Sequence, residues 1–123
     1  MINKLHLAMI ELYRGDAKRI QHFCKVHSYA KLIAETENVN KKCLFTIEAA
    51  ALTHDIGIHF CEEKYGNCNG KLIDYQILVE ADFLVNIMED GLSKEAALKA
   101  YHSIFKTTCG KMICREMFDI GVR

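Results

Sequence analysis

The chain has 123 residues, half of them hydrophobic, which is enough to form one domain around a single buried core. Sixteen basic and sixteen acidic residues give a formal net charge of zero, which argues against a nucleic-acid polymer or an anionic membrane as a partner. No apolar run is long enough to span a membrane, no signal peptide is recognisable and the six cysteines form no CxxC pair, so we expect a cytoplasmic protein with free thiols.

Helical periodicity dominates the first half of the chain, and capping residues mark the ends of its helices. The spacing predicts a short first helix over residues 3–13 and a long second helix, capped by Asp16, that continues to about residue 38. Asn40 can cap a third helix, which Gly57 is placed to end. Residues 58–73 are predicted to form a loop, since their centre is rich in asparagine and glycine.

The second half continues the helical pattern. A fourth helix is predicted over residues 74–89, where a strand over residues 75–79 is the alternative but has no partner strand elsewhere. Gly91 breaks this helix, Ser93 caps a fifth that extends to about residue 107, and a last short helix follows Gly110. No linker or repeat divides the chain. The sequence therefore predicts an all-α bundle of five to six helices, with residues 1–123 as one domain.

Two histidines on the second helix point in different directions. His22 shares an inward helical face with Val26, Ala30 and Ile33, whereas His27 lies about 140° further round the helix. A hydrogen-bonded histidine of the core is the simplest interpretation of His22 alone, and the same holds for His54. A ligand role therefore depends on which other polar groups point inward.

Three further polar residues sit in apolar surroundings. His54 and Asp55 close the apolar run over residues 49–52. Asp82 interrupts the fourth helix on the face of Leu78 and Val85, where a carboxylate needs a partner; an ion pair with a lysine or arginine is the alternative to a cation. Together with His22 these side chains supply two nitrogens and two oxygens from three helices. That donor set suits a divalent cation. A plain helical protein with no metal site, in which each of these polar side chains has its own hydrogen-bond partner, is the remaining alternative.

The chain resembles the HD-domain superfamily of metal-dependent phosphohydrolases, and the similarity covers nearly all of it. The phrases HDIGI, EADFLVN and IFKT, which recur in small stand-alone bacterial HD proteins, occur here at residues 54–58, 80–86 and 104–107. Residues 19–22, followed by Val26 and Ala30, resemble the helix that carries the first histidine of the family. The resemblance implies an HD-like helical bundle in which the metal ligands are His22, His54, Asp55 and Asp82.

The chain departs from the family between the loop and the fourth helix. Relatives place a helical hairpin there, often with further histidines, but here Lys71 is followed almost directly by Asp74 and the helix. We therefore expect one divalent cation, with Mn, Mg, Fe, Ni, Co and Zn not distinguished by the sequence. Loss of the hairpin is also expected to uncover the faces that carry Ile77 and Leu84, which favours a homodimer.

The resemblance implies hydrolysis of a phosphate ester on a small metabolite or nucleotide, with Asp55 as the acceptor of a proton from the attacking water. Glu62 and Lys64 are candidates to contact the substrate, although solvated loop charges are the simpler interpretation. Arg19 could contact the substrate or a ligand carboxylate, or lie on the surface. The alternative function is a catalytically weak or inert HD scaffold, that is, a metal-stabilised binding or dimerisation module.

Overall fold

The structure, a computed structural model, describes residues 2–54 and 72–120, and all the regular secondary structure in these ranges is helical. The all-α prediction is confirmed, and the strand alternative for residues 75–79 is excluded because they lie within a helix. The loop predicted over residues 58–73 lies almost entirely outside the described residues. In chain order the described helices are α1 (Ile2–Leu12), α2 (Ala17–Thr36), α3 (Lys41–Leu52), α4 (Leu72–Glu89), α5 (Lys94–Ser103) and α6 (Thr108–Phe118).

Three of the helices begin at the residues that the sequence predicts as caps. Asp16 accepts a hydrogen bond from the backbone N–H of Arg19, Asn40 accepts one from Cys43, and Ser93 accepts one from the third residue of its own helix. Each side chain satisfies one of the backbone N–H groups that the first turn of a helix leaves without a partner. Gly91, with φ of 63°, lies two residues after the end of α4, in agreement with the prediction that it breaks this helix.

Two predicted helix ends are wrong, and both errors involve a threonine. The third helix ends at Leu52, well before Gly57. The N–H of Thr53 is shared between the carbonyls of Ala49 and Ala50, which tightens the last turn, and its hydroxyl also donates to Ala49. The fifth helix ends at Ser103, short of Thr107. Thr107 instead caps the next helix, because its hydroxyl accepts a hydrogen bond from the backbone N–H of Gly110. The last helix therefore begins before Gly110.

α2 lies at the centre of the bundle and packs against α3, α4 and α6. The uncovered faces expected at Ile77 and Leu84 are not observed, because both side chains are fully buried within the single chain. None of the described helices combines the length and apolar character needed to cross a bilayer. α1 closes a smaller cluster of Met9, Phe23 and Leu52, whereas the main core contains Val26, Ala30, Ile33, Ile47, Ala51, Ile77, Ala81, Leu84, Phe105 and Cys114.

A fully buried carboxylate fixes the rotation of α4. Glu80 accepts hydrogen bonds from the side chain of Gln76, from the backbone N–H groups of Lys106 and Thr107, and from the hydroxyl of Thr107. These bonds attach α4 to the start of α6, where a helix N-terminus favours negative charge. Positions 80 and 82 are about 200° apart on a helix, so the same rotation directs Asp82 to the opposite face.

Candidate metal centre

Three side chains meet beside the end of α3. His22 lies in the second turn of α2, His54 follows α3, and Asp82 lies in the middle of α4. The Nε2 atoms of the two histidines are 3.1 Å apart, and each is 3.3 Å from Oδ1 of Asp82. The side chain of His54 is 5% exposed, against 15% for His22 and 27% for Asp82, so the cluster opens toward solvent on the side of α2 and α4.

Hydrogen bonds on the far side of each ring determine where the imidazole protons lie. Nδ1 of His54 is 2.9 Å from the carbonyl oxygen of Ala51, and a carbonyl only accepts, so Nδ1 donates. Nδ1 of His22 is 2.7 Å from Oε1 of Glu89, and an ionised carboxylate also only accepts. In their neutral forms, both rings therefore present an Nε2 lone pair to the centre of the cluster, where Oδ1 of Asp82 is the third acceptor.

Asp82 stays ionised in this environment. Burial raises the pKa of its carboxyl, but the positive charges and N–H groups that His54 and His22 present to it when they are protonated lower the pKa further, so that it lies below its ordinary value. Oδ1 is buried and accepts no well-aligned hydrogen bond from any residue that the structure describes. Its ionic partners in the described ranges are the two histidines, and the lysine or arginine of the alternative interpretation is not among them.

A divalent cation fits this arrangement. Three acceptors so close together repel one another, and a single proton can bridge only one pair of them, whereas a cation can contact all three. Two ligand atoms that each lie about 2.1 Å from a common ion are about 3.0 Å apart at 90° and about 3.4 Å apart at 109°. The observed separations of 3.1 and 3.3 Å lie between these values. Two imidazole nitrogens with one carboxylate oxygen are typical ligands of a borderline transition-metal ion.

A groove of about 440 Å³ adjoins the cluster between the start of α2 and the end of α4. We call it the α2–α4 groove; it is lined by Asp16, Lys18, Arg19, His22 and Glu89. Because His22 belongs both to the cluster and to this lining, a molecule in the groove would lie directly beside the candidate cation ligands.

The predicted ligands His22, His54 and Asp82 are brought together, as helical phase indicated. The fourth predicted ligand, Asp55, lies outside the described residues, and so do the candidate substrate contacts Glu62 and Lys64. These three assignments stay predictions.

Two other residues can be placed. Arg19 is exposed at the edge of the α2–α4 groove, with its Nε 3.6 Å from Oδ2 of Asp16 and its guanidinium 5.5 Å from the ring centre of Tyr13. His27 points away from the cluster, as predicted, and its Nε2 is 2.9 Å from Oε1 of the buried Glu48.

Glu89 is not among the site residues predicted from the sequence. The signal was nevertheless present, because Glu89 lies seven residues after Asp82, which is two helical turns along the same face of α4.

No protein-family model, no curated protein and no solved structure was found to match this chain.

Proposed function

We propose that this chain is a metal-dependent phosphohydrolase of the HD type that acts on a small phosphorylated metabolite or nucleotide. The observation that carries the proposal is the convergence of two imidazole Nε2 atoms and a buried carboxylate oxygen at 3.1 to 3.3 Å. The sequence resemblance assigns the ligand role to the same three residues, His22, His54 and Asp82. Helical geometry and motif similarity thus both support this one site.

The residues of the chain have distinct roles in this proposal. His22, His54 and Asp82 hold the cation, and Asp55, as the neighbour of His54 in sequence, is the predicted fourth ligand and the acceptor of the proton released by water. The cation supplies Lewis acidity, which makes water a better nucleophile near neutral pH and polarises a phosphoryl oxygen. The buried position of His54 keeps bulk water from one side of the site and strengthens the interactions with charge there.

The α2–α4 groove offers two basic side chains to a phosphorylated substrate. Lys18 and Arg19 lie in the first turn of α2 next to His22, and their two positive charges are balanced by the carboxylates of Asp16 and Glu89 in the same lining, so a phosphate would have to contact the basic groups individually. A volume of about 440 Å³ is within the range of pockets that hold small molecules. A phosphate group between these cations and His22 would lie beside the cation site. We therefore propose that the phosphate binds at the inner end of this groove.

Metal content and turnover test the proposal together. Purified protein is equilibrated with Mn²⁺, and release of phosphate or nitrophenol is followed with nitrophenyl phosphate mono- and diesters and a panel of nucleotides. We expect cation-dependent turnover that His54→Ala and Asp82→Ala each reduce by at least about 100-fold, since loss of an outer partner of a ligand alone reduces activity by about 10- to 100-fold. His27→Ala is the matched control and keeps both cation and activity.

A second pair of variants tests the groove. Lys18→Ala is expected to raise KM for the phosphate ester, while Lys25→Ala, an exposed lysine on the same helix that does not line the groove, leaves KM unchanged. Stoichiometric cation binding with no turnover of any phosphate ester would contradict the phosphohydrolase proposal. That result would favour the alternative function of a metal-stabilised binding module.

A further inference from the structure

His22, on α2, lies between two carboxylates that both belong to α4. Its Nδ1 is 2.7 Å from Oε1 of Glu89, and its Nε2 is 3.3 Å from Oδ1 of Asp82. A neutral imidazole carries one proton, so the two carboxylates compete for a single N–H donor. The nitrogen that carries the proton decides whether the ring can act as a ligand toward the cluster.

The shorter contact favours Glu89 in this competition. A separation of 2.7 Å is at the short end of charge-assisted N–H···O hydrogen bonds, whereas 3.3 Å is longer than a good one. With the proton on Nδ1, Nε2 of His22 keeps its lone pair toward His54 and Asp82. Without the carboxylate of Glu89, the tautomer with the proton on Nε2 is favoured, because Asp82 can accept a hydrogen bond from that N–H group. Nε2 would then no longer be available as a ligand.

The position of Glu89 is unfavourable for the helix itself. It is the last residue of α4, a helix with no basic residue in its last turn, and a negative charge there opposes the helix dipole. Glu89 also does not serve as a cap or as an ion-pair partner of a lysine or arginine in the described ranges; its recorded partner is Nδ1 of His22. Its side chain is 19% exposed, so this contact is partly shielded from water.

We infer that Glu89 is a positioning residue for the cation site, because it holds the proton of His22 on Nδ1 and leaves Nε2 as the ligand atom. Carboxylates that accept the second N–H of a ligand histidine orient the ring and raise its basicity in many metal sites. The inference rests on the proposed metal site but not on the proposed hydrolysis. It assigns Glu89 an effect on the tautomer of His22 that can be observed without any metal.

The test uses histidine ¹⁵N NMR of the full-length, metal-free protein at a pH where imidazole is neutral, with His22→Gln to assign the His22 signals. Wild-type protein is expected to show the Nδ1–H tautomer at His22. Glu89→Ala is expected to move the population toward Nε2–H. Glu89→Gln, which keeps the size of the side chain but both donates and accepts, moves it in the same direction by less. Asp90→Ala, the exposed neighbouring carboxylate, is the matched control and leaves the tautomer unchanged.

Calorimetric titration with Zn²⁺ completes the test. We expect Glu89→Ala to weaken Zn²⁺ binding by about 10- to 100-fold and Asp90→Ala to leave it unchanged. An Nε2–H tautomer in the wild type, or an affinity loss in Glu89→Ala without a change of tautomer, would overturn the inference. Failure of wild-type protein to bind Zn²⁺ would overturn it together with the metal site. If the tautomer and affinity results hold but no phosphate ester is hydrolysed, only the proposed hydrolase activity fails.

Discussion

Replacement of Gly110 by alanine tests how Glu80 attaches α4 to α6. A Cβ atom at position 110 would overlap Oε1 of Glu80 and lie 2.7 Å from Oγ1 of Thr107. The carboxylate of Glu80 is fully buried and is held by hydrogen bonds that include those from the backbone N–H groups of Lys106 and Thr107. It therefore cannot move away from a new methyl group without lengthening some of these bonds.

The size of the effect follows from two opposing contributions. A hydrogen bond to a charged group contributes about 1.5 to 3 kcal/mol, and Gly110→Ala is expected to break the bond between the hydroxyl of Thr107 and Glu80. Alanine is a better helix former than glycine by about 0.5 to 1 kcal/mol, which offsets part of this loss. The net prediction is a decrease in the free energy of unfolding of about 1.5 kcal/mol, or a fall in Tm of about 6 °C for a domain of this size.

Urea and thermal unfolding followed by circular dichroism measure this difference. Met112→Ala is the matched control, because Met112 is on the same helix and 43% exposed, and its unfolding free energy is expected to change by less than about 0.5 kcal/mol. A Gly110→Ala protein that is as stable as the wild type, or more so, would mean that helix propensity is the only effect. That result would show that the carboxylate of Glu80 does not contact α6 as described.

Three further predictions concern other parts of the fold. His27→Ala leaves the carboxylate of buried Glu48 without its partner, so elemental analysis is expected to find metal content unchanged while urea unfolding finds a loss of about 1 to 3 kcal/mol. Burial, with a smaller effect of Glu80, raises the pKa of the Cys114 thiol from 9.0 to about 11. The stability from this group is therefore full below pH 9 and lost as the pH rises to about 11, and Cys114→Val is expected to reduce the alkaline fall in unfolding free energy by on the order of 2 kcal/mol. Gly91→Ala has open space for its Cβ but a φ of 63°, so thermal unfolding is expected to show a loss of about 1 to 2 kcal/mol from the backbone alone.

Local signals in the sequence predicted the helix starts better than the helix ends. Asp16, Asn40 and Ser93 act on backbone groups within the next turn, so the residues that decide the outcome are adjacent in sequence. The two ends that were wrong depend on threonines with more than one role. Thr107 continues a helical pattern in sequence, but its hydroxyl both caps α6 and donates to Glu80 on a distant helix.

The three candidate ligand positions could be predicted because each is a polar residue whose neighbours on the same helical face or in the same run are apolar. His22, for example, repeats with Val26 and Ala30, which are both buried in the main core. The partner of its second nitrogen could not be predicted in this way. Which side of the imidazole faces Glu89 depends on how α2 and α4 pack, and helical phase within either helix does not contain that information.

The homodimer stays a prediction. The faces that favour it in the sequence, those of Ile77 and Leu84, are buried within one chain and do not support it. Size-exclusion chromatography with light scattering at micromolar concentration decides the matter. A dimer would have to use other apolar side chains, among which Leu7, Leu12 and Met88 are each more than half exposed.

The central claim is that His22, His54 and Asp82 hold one divalent cation, and crystal diffraction measured on both sides of the Mn²⁺ or Zn²⁺ absorption edge tests it most directly. The account predicts one anomalous peak within about 2.6 Å of Nε2 of His22, Nε2 of His54 and Oδ1 of Asp82. A crystal grown with excess cation that shows no peak there, or a peak held by other residues, would contradict it.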